Sequence, residues 1–145
     1  MKINEVLSED VLQKHDIGFG LTQFEGKEYS LVGGSRSGSS PSGLTRLKYD
    51  IIDHAMHDKT GDMNKSKMGH VELFVADSTG KIDGLVNIEI TNKKSGLGTK
   101  IVKDIVDTAG GELKIHDIQK SAKGFWSKMG AQKSNSPEYD AIIKN

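Results

Sequence analysis

The chain has 145 residues, a formal net charge of zero and no cysteine. Balanced charge supplies no global field toward nucleic acid or an anionic membrane, and the missing cysteines exclude disulfides, thiolate catalysis and Cys-ligated metal. Hydrophobic content of 34% and charged content of 28% are those of an ordinary soluble protein with room for a core.

No apolar run approaches the length of a membrane span, and the opening MKINEVLSED lacks the apolar core of a signal peptide. One cytoplasmic domain over residues 1–145 is the expectation. Residues 3–12 place Ile3, Val6, Leu7, Val11 and Leu12 at helical spacing. Residues 19–24 and 29–32 predict two short strands joined through Glu25, Gly26 and Lys27 as a hairpin. Residues 33–43, GGSRSGSSPSG, are too small and polar to bury apolar area. They predict a surface loop, with a substrate-side flap carrying Arg36 and the serines as the sharper alternative.

Residues 44–57 predict an amphipathic helix with Leu44, Leu47, Ile51, Ile52 and Ala55 on its apolar face and Ser42 as cap. Asp53, His54, His57 and Asp58 gather near its end, but no further ligand set accompanies them, and a solvated helix end is expected rather than a metal site. Residues 58–69 read as a loop. Residues 70–76 alternate as a strand, Asp77 to Gly80 supply turn chemistry, and residues 81–91 resume as its antiparallel partner. A glycine-bearing turn leads to a helix over about 98–108. Leu97, Ile101, Val102, Ile105 and Val106 form its apolar face, Lys100, Lys103, Asp104 and Asp107 its polar one, and Gly110 and Gly111 end it.

Residues 113–118 form the next strand, and a short connection from helix to strand implies a crossover to a parallel neighbour. Ser121 can cap a short helix over 122–129, whose Ala122, Phe125, Trp126 and Met129 have core spacing, and residues 139–143 alternate as a closing strand. The element order is that of an α+β domain built on a single mixed, mostly antiparallel sheet with helices on both faces.

Lys93-Lys94-Ser95-Gly96-Leu97-Gly98 lies between a strand and a helix. It resembles the acyl-CoA-binding motif of the GNAT N-acetyltransferases, Gln/Arg-x-x-Gly-x-Gly/Ala. The stretch from Gln119 to Ala131, QKSAKGFWSKMGA, is similar to that family's Asn-x-x-Ala-x-x-Phe-Tyr-x-x-x-Gly-Phe segment, and one helix and one strand separate the two. The resemblance covers roughly residues 71–131. It implies a GNAT-like fold, acetyl-CoA as co-substrate, and transfer of an acetyl group to a primary amine by direct attack. Backbone N–H groups of Ser95, Gly96, Leu97, Gly98 and Thr99 would face the pyrophosphate at a helix N-terminus, with Lys93 and Lys94 adding charge. Asn87, Ile88 and Glu89 would pair with pantetheine as an added strand does, and Phe125 and Trp126 would stand beside the cofactor. A GxGxxG dinucleotide fingerprint would need a third glycine where Ile101 stands.

Two positions depart from the family pattern. Lys93 replaces its Gln or Arg, and Trp126 replaces the tyrosine that often serves as general acid. An indole N–H donates a hydrogen bond but supplies no proton at neutral pH, so Tyr139 is the candidate substitute. Glu72 and Glu89 are the candidate general bases, useful if burial raises their pKa; the plainer reading puts each on a solvated sheet face. His116, mid-strand beside Asp117, reads first as a structural partner. The opening MKINEVL also resembles small phage-encoded proteins. This gives the alternative, a catalytically inactive GNAT-fold binding, structural or host-modulating protein, self-associating or part of a larger assembly, in host cytoplasm or virion.

Overall fold

The structure is a computed structural model that describes residues 12–18, 21–91 and 96–144. The helix expected over 3–12 lies outside them except for Leu12. Among the described residues nine strands form one sheet in the order β1-β2-β3-β4-β5-β6-β7-β9-β8. They are β1 (Gln13–Gly18), β2 (Leu21–Glu25), β3 (Tyr29–Arg36), β4 (Leu44–Asp53), β5 (Lys67–Ala76), β6 (Ile82–Ile90), β7 (Glu112–Ile115), β8 (Gln132–Lys133) and β9 (Ala141–Lys144). All neighbours are antiparallel except β6 and β7. The helices are α1 (His54–Thr60), α2 (Leu97–Thr108) and α3 (Lys123–Lys128), the last preceded by a 3₁₀ turn at Lys120–Ala122. The α+β class with one mostly antiparallel sheet is therefore as expected.

The largest difference from the sequence reading is residues 44–53, a ten-residue strand and not a helix. Leu47, Tyr49 and Ile51 also alternate at period two, and β4 is clamped between β3 and β5, with Leu31 and Gly69 flanking Ile51. Sheet pairing outweighs a helical spacing that would have used Ala55, which is exposed. Helix α1 starts only at His54 and buries no residue. The glycine-serine segment is likewise only partly a loop. Strand β3 runs through a bulge at Gly33 to Ser35 and reaches Arg36 opposite Leu47.

One face of the sheet carries the core. Leu73, Leu85, Ile115 and Ala141 lie in one cross-strand row, and Ile101, Val102, Ile105 and Val106 of α2 join their cluster, as does Trp126 of α3. Asp104, expected on the polar side of α2, is only 9% exposed. Its Oδ2 accepts a 2.8 Å hydrogen bond from the Tyr29 hydroxyl, which locks α2 to β3. The opposite face holds Ile52, Phe74 and Val86 as buried apolar residues outside that cluster, among Lys48, Asp50, Glu72 and His70. Helix α1 meets this face through His54, whose Nε2 lies 2.7 Å from the Ser30 Oγ. Helices therefore do not cover both faces equally: among the described residues, α2 and α3 join the core on one side. The sheet curls around α2, so that Lys14 on β1 reaches the Gly80 carbonyl in the β5–β6 turn at 3.1 Å and the Leu12 N–H reaches Thr108 Oγ1 at the end of α2.

Candidate functional site

Strand β6 pairs with β5 along its length but with β7 only at its start. The parallel ladder covers Gly84 with Lys114 and Leu85 with Ile115, and the His116 N–H closes it on the Leu85 carbonyl at 2.9 Å. At the same point β6 carries a bulge: Leu73 faces Leu85 and Glu72 faces Asn87, so Val86 is an extra residue. A bulge adds twist and re-aims the chain, and here β6 and β7 part beyond it. Residues 86–90 thus leave one backbone edge unpaired by β7.

The parting opens a cleft of about 490 Å³, lined along β6 by Val86, Asn87, Ile88, Glu89 and Ile90. Gly98 of α2, His116 beyond β7, and Gln119, Ser121, Ala122, Phe125 and Trp126 complete it. The wall is mixed: an aliphatic and aromatic body with a few polar groups, as small-molecule clefts are. Gly98 brings the α2 backbone close to the opposite wall, since a Cβ there would sit 3.5 Å from both Ile90 and Phe125. Phe125 stands edge-on to Trp126, ring centroids 4.9 Å apart. Trp126 is 6% exposed, so it serves as core and cleft wall at once.

Helix α2 points its N-terminus at this region. Its N-cap, Gly96, has φ 77°, a left-handed conformation that glycine adopts without strain. Among the described residues no side chain caps the helix, and its first turn holds no acidic residue. The first intrahelical bond runs from the Lys100 N–H to the Gly96 carbonyl, so the N–H groups of Leu97, Gly98 and Thr99 have no acceptor within the helix. Of the expected loop ligands, Lys93, Lys94 and Ser95 lie outside the described residues.

No protein family, curated protein or solved structure matches the chain.

The remaining candidates are distributed as follows. Asn87, Ile88, Glu89, Phe125 and Trp126 line the cleft together, and Glu89 is exposed. Glu72 lies one strand away from it. Its Oε2 accepts 2.9 Å and 2.7 Å hydrogen bonds from Arg46 Nε and Ser37 Oγ. Burial alone would raise its pKa, but the bonds from Arg46, Ser37 and Asn87 and the Arg46 charge outweigh that and hold the carboxyl below its usual range. Tyr139 precedes β9, with its ring centroid 6.2 Å from that of His116 and Lys114 Nζ 5.5 Å above it. Arg36 borders a second hollow of about 500 Å³ with Thr22, Thr45 and Asp77, which shares no residue with the cleft. Ser37 of that segment donates to Glu72, which in turn is hydrogen-bonded to the cleft residue Asn87. No group of three metal-binding side chains occurs among the described residues, and none of their helices is long and apolar enough to cross a membrane.

Sequence reasoning weighed His116 and set it aside as a structural partner. Burial holds its imidazole below the ordinary histidine pKa, with Lys114 acting the same way; Asp83, Asp140 and a backbone hydrogen bond to Glu138 oppose this and do not prevail. Its Nε2 is buried without a hydrogen-bond partner among the described residues. The signal the sequence offered was a histidine, with its useful pKa, in the segment that follows the glycine-loop helix.

Proposed function

We propose that the chain is an acyl-CoA-dependent N-acetyltransferase that moves an acetyl group from acetyl-CoA to a primary amine by direct attack. The observation that carries this reading is the parting of β6 from β7 beside the N-terminus of α2, which no side chain among the described residues caps. An extended pantetheine arm fits the unpaired edge of residues 86–90 as an added strand would. A pyrophosphate suits the free N–H groups of Leu97, Gly98 and Thr99, where the helix dipole favours an anion. The thioester then lies near the fork, among Asn87, His116 and Trp126. The resemblance of the glycine loop and of the Gln119 to Ala131 segment to the GNAT family supports the same assignment, and with it a GNAT-like fold.

Isothermal titration of the full chain with acetyl-CoA tests this. Saturable binding that is weakened by filling the cleft at Gly98 is the expected result; no binding at millimolar acetyl-CoA overturns it.

A second reading has one observation in its favour. Trp126 is held in the core where the resemblance puts a proton-donating tyrosine, and its indole cannot replace that acid. On this reading the chain is a GNAT-fold binding or assembly component, one that binds acetyl-CoA or has lost it, and releases no CoA with any amine.

A further inference from the structure

We propose that His116 is the general base of the cleft, taking the proton from the acceptor's ammonium group through Nε2; this rests on the acetyltransferase reading above.

The argument begins with elimination by geometry. Among the described residues that line the cleft, Glu89 and His116 are the ones that titrate in the acid-to-neutral range. Glu89 is exposed, so solvent competes for its carboxylate. Glu72, a half-buried carboxylate one strand away, already accepts hydrogen bonds from Arg46 and Ser37 on one oxygen, and protonating it would disturb that arrangement. His116 has the opposite character. It sits at the fork where the β6–β7 ladder ends, its backbone fixed by the bond to Leu85.

The ring itself is held but not saturated. Phe74 meets it edge-on at 4.7 Å between centroids, and Gly84 lies under it, so close that a Cβ there would be 2.7 Å from Nε2. Nε2 has no partner among the described residues, so the backbone bond to Glu138 is assigned to Nδ1, the other ring nitrogen. That fixes the neutral tautomer with the proton on Nδ1 and a free lone pair on Nε2. A buried acceptor without a donor costs about 1–3 kcal/mol, and an N–H arriving from the cleft removes that cost. The charged and titratable groups around the ring are Asp83 on β6, Lys114 on β7, and Asp140 with Tyr139 ahead of β9. Phe74 on β5 brings no charge. His116 lines the cleft while its Nε2 rests against Gly84; taking the proton requires the ring to turn toward the opening and give up its Glu138 bond.

The step balances without a further reactant. The acceptor ammonium gives one proton to Nε2. The amine lone pair forms the C–N bond to the thioester carbonyl, the C–S bond breaks, and the thiolate takes the surplus proton of the new amide nitrogen. The imidazolium returns its proton to water, so the products are the acetamide, CoA thiol and one proton.

The test combines titration, turnover and NMR on the full chain. Acetyl-CoA binding is measured for wild type and His116→Gln, CoA release is followed across pH with an amine panel, and the imidazole ¹⁵N shifts of the wild type are recorded with and without acetyl-CoA. The expected results are acetyl-CoA binding that remains saturable in His116→Gln and a fall of about 100-fold in kcat/KM. The wild type's acid limb, which burial of the imidazole places below the ordinary histidine range, disappears in the variant, and the His116 Nε2 resonance moves on acetyl-CoA binding. An unchanged pH profile in His116→Gln, or binding without turnover for any amine, overturns the proposal and leaves acetyl-CoA binding intact. Absence of binding to wild type overturns both. If His116→Gln fails to fold, the wild-type ¹⁵N titration decides: a His116 ring that stays doubly protonated up to pH 7.5 cannot be the base.

Discussion

His116 and Gly84 are matched across the β6–β7 fork: the imidazole occupies the space a side chain at position 84 would need, with Nε2 2.7 Å from the place of the missing Cβ. The Lys114 carbonyl is 3.1 Å from the same point. Gly84→Ala must therefore displace the ring or spread the strands. A loss of about 1–3 kcal/mol is expected for such overpacking, read as a lowered midpoint in urea, together with a changed His116 ring resonance. An alanine variant as stable as wild type, with the resonance unmoved, would show that the ring does not rest there.

A glycine of a different kind sits at position 69. It has φ 154°, and a Cβ there would overlap the Glu89 carbonyl oxygen on the neighbouring strand. Both are backbone constraints, so no side-chain rotation relieves them. Gly69→Ala should cost more than Gly84→Ala, about 3 kcal/mol or above, and thermal unfolding of the two variants side by side checks the order.

Tyr29 and Asp104 tie β3 to α2 through one buried hydrogen bond, with Lys100 Nζ 3.4 Å from the same carboxylate oxygen. Asp104→Ala orphans a buried hydroxyl and should cost about 1–3 kcal/mol. Tyr29→Phe, made in the Asp104→Ala background, should then cost much less than it does alone, the signature of a coupled pair. The pair also has an alkaline signature. Burial, and then the Asp104 hydrogen bond and charge, push the Tyr29 pKa far up. A raised folded pKa means stability that is fully present below the unfolded value near pH 10 and lost as pH rises beyond it. Tyr29→Phe should remove that part of the alkaline loss in a denaturation series from pH 8 to 11.

Glu72 gives the acid counterpart. Its pKa is lowered in the folded protein, so its contribution is present above the unfolded value of 4.5 and is lost as pH falls through the folded one. The pair is partly exposed, with Arg46 at 27% and Glu72 at 14%, so solvent screening limits the effect to about 1 kcal/mol. Glu72→Gln should be less stable than wild type at pH 7 and equal to it near pH 2. A gap that persists at pH 2 would mean that packing, not charge, is what the substitution removes.

Gly98 tests the cleft as a binding site. It faces Ile90 and Phe125 across the opening, and a leucine there would fill the space between α2 and the β6 edge. Leucine also has better helix propensity than glycine by about 0.8–1.0 kcal/mol. Gly98→Leu should therefore keep its thermal midpoint while losing at least about tenfold in acetyl-CoA affinity, about 1.4 kcal/mol. Equal affinity in wild type and variant would move the ligand elsewhere.

The segments legible in the sequence were those whose structure is set by near neighbours. Val71, Leu73 and Val75 alternate and form β5; Asp77 to Gly80 turn the chain; Ile101, Val102, Ile105 and Val106 bury the face of α2 that their spacing predicts; Gly96 stands at the helix entry with a positive φ. Residues 44–53 were not legible, because their apolar positions satisfy both periods and only pairing with β3 and β5 selects the strand. Strands β1 and β8, all of whose residues are exposed, carry no hydrophobic pattern to read.

The site divides along the same line. The sequence by itself determined a strand, a glycine turn and a helix in series, and so a helix N-terminus suited to an anion. Which carboxylates are free, which imidazole nitrogen lacks a partner, and where two parallel strands separate depend on residues far apart in the chain. Arg46 meets Glu72, Tyr29 meets Asp104, and Gly84 lies beneath His116 only when the sheet is assembled. Local periodicity reports which face of an element is apolar. It carries no information on what stands opposite that face, and the cleft is made of what stands opposite.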